Sequence, residues 1–252
     1  MKTTVLGSIA LVALSIGSNA ANAADLPVKA APPPITPVFT WTGCYVGIWG
    51  GYGSGANTDI TVAAPAPVGI PAGARIVGPI HVNGPIGGGD IGCRYQWNSW
   101  VIGVEGDFGG AAKSGHNNFI PPFGLPTSAA LIHEDWLATV RGRLGYVWGN
   151  SLFYVTGGGA WSRAKVDVIF IPFSFLPGFQ ATDSKSLSGW AAGGGWEYAF
   201  GNNWSAKVEY IFVDFGTKTF FGGPPFNPVV GAALAVPMRE HTARIGINYK
   251  LF

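Results

Sequence analysis

The chain has 252 residues, of which 11% are charged and 13% are aromatic, and it contains 39 glycines and 10 tryptophans. Soluble domains usually have about a quarter of their residues charged, so this composition argues against an ordinary secreted soluble domain. The net charge of +2 is too small to indicate binding to nucleic acid or to a strongly acidic partner.

Residues 1–23 have the pattern of a secretory signal peptide. Lys2 precedes an apolar stretch from Val5 to Ile16, and the small residues Ala21 and Ala23 form an A-x-A cleavage site. A retained membrane helix is the alternative, but this apolar run is too short to span a bilayer. Residues 24–40 contain five prolines and no periodic pattern, so they are predicted to form an extended periplasmic linker.

Residues 41–252 contain eight segments in which polar and apolar residues alternate. Each segment is at least as long as the roughly 9–11 residues that a tilted strand needs to cross a bilayer. The connections are alternately long and short, and the three short ones contain the turn formers Asn98, Gly149 and Gly201–Asn202. The predicted strands are 41–53, 84–97, 99–109, 134–148, 150–162, 186–200, 203–215 and 240–251, and the long connections are 54–83, 110–133, 163–185 and 216–239.

This layout predicts an all-β fold, an eight-stranded antiparallel transmembrane β-barrel. A closed barrel satisfies every backbone donor and acceptor between its strands. In bacterial outer-membrane barrels the strand number is even, the short turns face the periplasm and the long loops face outward. The uncharged stretch 219–238 is not a competing membrane helix, because it contains Pro224, Pro225, Pro228 and Pro237.

The charged side chains of the central strand stretches share one parity, and the opposite parity is apolar. In the third strand, for example, Glu105 and Asp107 alternate with Ile102, Val104 and Phe108. A Lys or Arg that faces lipid at the midplane costs about 2–4 kcal/mol, so the charged parity is predicted to face the barrel interior. These charges form an interior network of Asp90, Arg94, Glu105, Asp107, Arg141, Arg143, Glu197, Lys207, Glu209 and Arg244.

Two interpretations of the interior network are open. It contains five acids and five bases, and an eight-stranded barrel encloses little more than its own side chains. The balance therefore favours a plug of buried ion pairs. The alternative is a narrow, gated pore lined by the same groups.

Aromatic residues lie near both ends of the predicted strands, as expected for the two interfacial girdles of a membrane barrel. The core of a soluble β-sandwich would also be aromatic, but the signal peptide and the uncharged outer faces argue against it. The residues next to the short turns or the termini are Trp41, Trp97, Trp100, Tyr146, Trp148, Phe200, Trp204 and Tyr249, and those at the opposite ends are Tyr52, Phe108, Trp136, Trp161, Trp190 and Phe212.

Four stretches carry a resemblance to a known family: ADLP after the signal, WTGCYVG at 41–47, GVEGDF at 103–108 and the closing GINYKLF. With the eight-strand layout, they resemble the small OmpA-like outer-membrane proteins of the RopB type, often called porin-family proteins. The resemblance implies a location in the cell outer membrane of a Gram-negative bacterium and roles in envelope integrity and host contact. Some relatives bind haem, and the family offers no catalytic motif.

The resemblance also implies partners. These are the lipids and lipopolysaccharide of the outer membrane, the barrel-assembly machinery, and a host or haem ligand at the outer loops; neither nucleic acid nor a resident cofactor is expected. Tyr249, Leu251 and Phe252 are the expected assembly signal. Family members usually place the terminal aromatic on the lipid-facing parity, which Tyr249 and Leu251 occupy here, whereas Phe252 is one step off.

Cys44 and Cys93 are the only cysteines, and both lie near the periplasmic ends of neighbouring predicted strands. Disulfides persist in exported proteins, so a cross-strand bond is one possibility. Two separate lipid-facing thiols are the other. Two thiols alone are not a metal site.

The outer loops hold the remaining candidate side chains. His81, His116, His133 and His241 lie there or at the outer strand mouths, where imidazoles can ligate haem or a metal, or are simply polar loop residues. The loops are also apolar, as in FIPPFGLP (119–126), IFIPFSFLPGF (169–179) and FFGGPPFNP (220–228). They are predicted to pack together as a cap, with a surface for lipopolysaccharide, haem or host partners as the alternative.

An enzyme is the rival class, because some small barrels process lipids. It needs an activated nucleophile, and the sequence has no G-x-S-x-G motif and no Ser beside a His. Paired carboxylates would suit acid/base catalysis, but the equal number of bases favours a structural role. The sequence therefore predicts no enzyme.

Overall fold

The computed structural model describes residues 39–55, 58–63, 71–118, 129–170, 179–222 and 233–252. The described residues contain ten strands, eight of which close into an antiparallel ring in the order β1-β4-β5-β6-β7-β8-β9-β10, with β10 pairing back to β1. The predicted eight-stranded barrel is therefore confirmed. The strands are β1 (Gly43–Gly55), β2 (Thr58–Val62), β3 (Arg75–Ile80), β4 (Asn83–Trp97), β5 (Trp100–Asn118), β6 (Ala129–Trp148), β7 (Ser151–Phe170), β8 (Phe179–Ala199), β9 (Trp204–Phe220) and β10 (Leu234–Lys250).

Several predictions fall on residues that lie outside the described ranges. These are the signal peptide (1–23), the linker (24–40) apart from its last two residues, and the middle of three apolar loops (119–128, 171–178 and 223–232). Among the described residues, no helix is long and apolar enough to cross a membrane.

The wall of the barrel follows the alternation of its strands. In β5, Glu105 and Asp107 are buried inside, whereas Ile102, Val104 and Phe108 are more than half exposed on the outer face. β-Branched and aromatic side chains fit a pleated surface, and an outward apolar band is what a bilayer requires.

Short turns set the register at one end of the barrel. Asn98 and Gly149 have φ angles of 54° and 59°, the left-handed conformation that tight hairpins need and that Asn and Gly adopt most readily. They join Trp97 to Trp100 and Trp148 to Ser151, which are paired residues of adjacent strands. Because short turns face the periplasm in such barrels, we call this the periplasmic end and the opposite one the outer end.

The strands extend further toward the outer end than predicted, so much of the predicted long loops is β-structure. Beyond the membrane the alternation continues with its polarity reversed: in β7, Ala164, Val166 and Val168 are buried inside while Arg163 and Lys165 face outward. The strands were predicted from an apolar face directed at lipid, whereas in this part of the wall the outward face is polar. The prediction therefore ended the strands too early.

The predicted loop 54–83 also contains a hairpin, formed by β2 and β3. β2 adds to the outer end of β10, with Val62 opposite Leu234. β3 lies beside β5, where the side-chain amide of Asn117 donates to the carbonyl of Pro79 at 2.9 Å. Burial of Ile60 and Val77, both 0% exposed, explains why this short segment folds onto the barrel.

Side chains fill the barrel in three layers. The interior network lies between an apolar layer at the outer end, the outer core, and a smaller apolar group at the periplasmic end, the periplasmic cluster. The outer core includes Ile60, Val62, Val77, Ile132, Val166, Leu187, Phe215, Phe220 and Met238, and the periplasmic cluster consists of Trp41, Val101, Leu152, Tyr154 and Ala199.

The prediction that Trp41 belongs to the periplasmic girdle is wrong. Trp41 is 0% exposed and lies inside the periplasmic cluster. Its ring packs edge-on against Phe39 at 4.8 Å and lies 4.8 Å from the guanidinium of Arg94. Trp41 precedes β1, so the parity of that strand does not determine where its side chain points.

Candidate functional site

The interior network lies on the inner face of the barrel at the level of the membrane. All ten of its side chains are buried: Asp90, Arg94, Glu105, Asp107, Arg141, Arg143, Glu197, Lys207, Glu209 and Arg244.

Arg141 on β6 is the centre of the network. Its guanidinium lies 2.8 Å from Glu105, 2.9 Å from Asp107 and 2.9 Å from Glu209, and its Nε donates to the hydroxyl of Thr139 at 2.8 Å. Thr139 in turn donates to Asp107. One cation therefore binds three carboxylates from two strands, β5 and β9.

Arg143 forms a second centre of the network. It lies two residues further along β6 than Arg141, closer to the periplasmic end. It lies 2.8 Å from Glu105 and 3.0 Å from Glu209, and its guanidinium donates to the hydroxyls of Tyr45 and Tyr154, each at 3.2 Å. The Tyr45 hydroxyl donates to Glu105 at 2.7 Å.

Two glycines make room for these tyrosines. A Cβ added at Gly92 would lie 2.5 Å from the Tyr45 hydroxyl, and one at Gly195 would lie 2.6 Å from the Tyr154 hydroxyl. Any larger residue at either position would push a ring away from the network.

Three further ion pairs extend the network around the ring. Arg94 on β4 binds Glu197 on β8 through two bonds of 2.7 and 3.0 Å, the strong bidentate geometry. Lys207 on β9 lies 2.7 Å from Asp90 on β4. Arg244 on β10 lies 2.9 Å from Asp107 on β5 and 4.1 Å from the ring of Trp49.

These pairs join strands that are not neighbours in the ring, so they cross the lumen. β4 is bonded to β8 and β9, β6 to β9, and β5 to β10. An eight-stranded barrel encloses about the volume of its own side chains, and these bonds lie within that volume. Chemically, the arrangement neutralises charges and connects opposite walls.

The sequence analysis missed a second charged group, the Lys113 cluster, formed by Lys113, Glu134 and Glu240. Lys113 Nζ lies 2.7 Å from Glu134 and 2.5 Å from Glu240. Glu240 and Arg244 are four residues apart on one predicted strand and therefore lie on the same face. This spacing could have predicted that Glu240 faces the barrel interior. The sequence does not predict the position of Lys113 or Glu134 inside the barrel. Lys113 falls in the predicted loop 110–133, and Glu134 flanks an irregularity in the β6–β7 pairing that breaks the alternation.

The two cysteines are joined by a disulfide in the structure. Cys44 on β1 and Cys93 on β4 are directly paired residues, and their Cα atoms are 4.0 Å apart. The bond lies near the periplasmic end, with Cys93 exposed on the lipid-facing side.

The four histidines are spread over the outer half of the barrel. His116 and His133 lie on the adjacent strands β5 and β6, and His81 follows β3 beside Gly115. His241 lies on β10, where its Nδ1 is 2.5 Å from the Tyr210 hydroxyl. Over the described ranges, no group of three or more His, Cys, Asp or Glu side chains is arranged to hold a metal ion.

The residues of the expected assembly signal lie at the periplasmic end of β10. Tyr249, Leu251 and Phe252 are 39%, 46% and 76% exposed, so none of the three is buried in the barrel interior. The Leu251 amide donates to the Cys44 carbonyl at 2.8 Å, which continues the β1–β10 contact past the last ladder pair.

An antiparallel eight-stranded barrel with an apolar band outside and a buried charge network inside defines a transmembrane β-barrel protein of the outer-membrane class. The chain belongs to the family described as the outer membrane protein beta-barrel domain, whose model matches residues 9–250. Its location is the cell outer membrane, and its surroundings are membrane lipids.

Curated relatives agree with this assignment. The chain is 32% identical to the 31 kDa outer-membrane immunogenic protein of Brucella melitensis, over 99% of this chain and 100% of that one. It is 28% identical to the 25 kDa outer-membrane immunogenic protein of Brucella abortus, over 99% and 98%. Among solved structures it is similar in fold to the outer membrane protein OprG of Pseudomonas aeruginosa, with a TM-score of 0.51, 14% identity, and coverage of 84% and 98%.

Proposed function

We propose that this outer-membrane protein is a closed barrel with a structural role in the envelope and an interaction role at the cell surface, and that its interior is a plug. The observation that carries the proposal is the set of ion pairs across the lumen. Arg94–Glu197, Lys207–Asp90, Arg141–Glu209 and Arg244–Asp107 each join two strands on different sides of the ring.

The two apolar layers support the same proposal. A pore needs an open lumen, whereas the outer core and the periplasmic cluster fill the lumen with fully buried apolar side chains such as Ile211, Phe220, Leu152 and Trp41. A solute would have to displace both layers and break the network between them. Closure by three independent layers favours the plug over a narrow gated pore.

The surface role is supported by the part of the barrel that lies beyond the membrane. The outer ends of the ring strands present polar side chains there, including the outward-facing Arg163, Lys165 and Ser184. The Brucella relatives named above are called outer-membrane immunogenic proteins, which supports a role in contact with a host. Lipopolysaccharide and host molecules are the partners proposed for this surface, and the barrel-assembly machinery is the partner proposed for Tyr249, Leu251 and Phe252.

Neither haem binding nor catalysis is part of the proposal. His241 lies on β10, whereas His116 and His133 lie on β5 and β6, so the four histidines do not form one ligand set. The carboxylates of the interior network are bound to an equal number of bases and are buried, which suits structure better than acid/base catalysis.

Single-channel recording in planar bilayers tests the proposal. A plugged barrel is expected to give no conductance steps, whereas regular steps from the purified protein would support the gated pore instead.

A further inference from the structure

The Lys113 cluster lies outward of the membrane, at the boundary between the interior network and the outer core. Glu134 is two residues outward of Trp136, and Lys113 is five residues outward of Phe108, both in the outer aromatic girdle. Glu240 is paired with Val213 and Gly55, which lie one and three residues outward of the girdle residues Phe212 and Tyr52.

The cluster holds two carboxylates and one ammonium group in a buried site. The side chains of Lys113, Glu134 and Glu240 are 0%, 11% and 4% exposed. With all three ionised the cluster would have a net charge of −1, and an uncompensated buried charge is strongly destabilising. Uptake of one proton removes that charge.

The groups around Glu240 do little more to neutralise the negative charge of the cluster. Lys113 faces it from β5 and Glu134 from β6, and Ser162 on β7 donates to Glu134 at 2.6 Å. The other cations near it on its own strand are Arg239, which faces outward and binds Asp214, and Arg244, which binds Asp107. The groups supplied by the remaining packed strands are Gly53 and Gly55 of β1, Leu187 of β8, and Val213 and Phe215 of β9, all without charge.

One carboxylate oxygen is placed to receive a proton. Both carboxylate oxygens of Glu240 are buried without a hydrogen-bond partner within the described part of the chain, but only Oε1 lies beside the Lys113 ammonium, so Oε2 is the oxygen left to take the proton. A cavity of about 30 Å³ borders Glu240, Glu134, Leu187 and Phe215, and it is large enough for a water molecule. The same cavity borders Arg239, whose side chain is 60% exposed.

From this geometry we propose that the Lys113 cluster is a proton-binding site, in which Glu240 takes up one proton from the external medium and the cluster becomes neutral. The proton comes from water, no other bond is made or broken, and the Lys113 ammonium stays between the two carboxyl groups. Burial, followed by the neighbouring Glu134, raises the pKa of Glu240 to about 7. The site is independent of whether the barrel conducts solutes.

The sign of the resulting pH dependence follows from the two states of Glu240. Above about pH 7 it is ionised in both the folded and the unfolded chain. Between about pH 7 and its ordinary value of 4.5, only the folded chain binds the proton, so stability is gained as the pH falls. One proton per molecule changes the folded-to-unfolded ratio by at most about tenfold per pH unit.

The test compares Glu240→Gln with the wild type in denaturant unfolding of the full barrel in detergent micelles between pH 8 and pH 5. Glutamine keeps the shape of the protonated carboxyl group, so the variant is expected to match the wild type at pH 5, exceed it at pH 8 and lose the pH dependence in this window. The matched control is Asp135→Asn, whose carboxylate faces outward and pairs with Lys165 at 3.3 Å. It should keep the wild-type pH dependence.

Infrared difference spectra give a second measurement that does not depend on unfolding. A protonated-carboxyl band should grow in the wild type and in Asp135→Asn between pH 8 and pH 5, and it should be absent from Glu240→Gln. Equal pH dependence of Glu240→Gln and the wild type in both measurements would overturn the proposal. So would a variant that is less stable than the wild type at pH 8.

Discussion

At the scale of single residues, Arg141 is the side chain on which the interior network depends most. It is 1% exposed and binds Glu105, Asp107 and Glu209 at once. Arg143 binds two of these acids, Glu105 and Glu209. Arg244 binds only Asp107. The network would therefore lose its most connected cation with a single substitution.

We predict that Arg141→Ala lowers the free energy of unfolding by about 3–5 kcal/mol, because it leaves buried carboxylates without their shared cation. The measurement is denaturant unfolding in micelles, followed by tryptophan fluorescence and by the heat-modifiable shift in gel mobility. Lys165→Ala is the matched control, since Lys165 is 45% exposed and pairs with Asp135 at the surface. Its effect should stay within about 1 kcal/mol. Equal effects of the two substitutions would refute the network.

Wherever a strand crosses the membrane, the sequence could predict which side chains face the barrel interior and which face lipid. Glu105, Arg141 and Glu209 stand out because each interrupts an apolar alternation, and lipid tolerates no charge on the opposite face. Trp41 could not be placed in this way, because it lies before the first strand and its burial depends on Phe39 and Arg94. The distances that join Arg94 to Glu197 depend on barrel closure, which no local pattern contains.

At the scale of elements, the disulfide fixes β1 to β4 across the longest connection among the neighbouring strands of the ring. Cys44 and Cys93 are 49 residues apart in sequence but are directly paired in the ladder. The loop between them includes the β2–β3 hairpin. A bond that closes so long a loop restricts the unfolded chain more than the folded one.

We predict that the purified protein takes up no alkylating reagent until it is reduced, after which mass spectrometry detects two modified cysteines. The double variant Cys44→Ser/Cys93→Ser should still form the barrel but should be less stable by up to about 4 kcal/mol, the chain-entropy value for a loop of this length. Alkylation of both thiols without reductant would show that the bond is absent.

The β2–β3 hairpin is an addition to the barrel and not part of its ring. β1 and β4 pair with each other directly from Gly43↔Arg94 to Ser54↔Asn83. The Gly55 amide donates to the Val82 carbonyl at 2.7 Å, so the chain leaves and rejoins the ring at adjacent points. Inside, Val77 and Ile80 complete the outer core.

We predict that replacing residues 57–81 by a short glycine linker leaves the membrane part folded, with its heat-modifiable gel shift intact. The outer core would lose one side, so the outer ends of β5 and β10 should become sensitive to protease added outside whole cells, at sites protected in the wild type. Retained protection would show that the hairpin does not stabilise this region, and loss of the gel shift would show that the ring depends on it.

The sequence predicted the elements of the membrane part well and those of the outer part poorly, for one physical reason. A bilayer makes the outer face of each strand apolar, whereas water makes it polar, as in Thr182, Ser184 and Ser186 of β8. Without the apolar outer band, the outer continuation of the strands and the β2–β3 hairpin looked like loops. Their buried faces, with residues such as Val166 and Ile132, held the missing signal.

At the scale of the whole molecule, three interior layers with different chemistry fill one barrel. The periplasmic cluster and the outer core are apolar, and the interior network between them is charged and internally paired. The Lys113 cluster lies where the charged and apolar layers meet. The proposed plug therefore does not depend on a single constriction that a small movement could open.

The most direct test of this account is single-channel conductance in planar bilayers, recorded for the wild type beside a variant with an emptied lumen. In that variant, Trp41, Glu105, Arg141, Arg143, Leu152 and Phe220 are replaced by Ala, which removes side chains from all three layers. We predict no conductance steps for the wild type and frequent steps for any variant barrel that keeps the heat-modifiable gel shift. Regular steps of uniform size from the wild type, absent from a mock preparation of the same membranes, would contradict the plugged barrel.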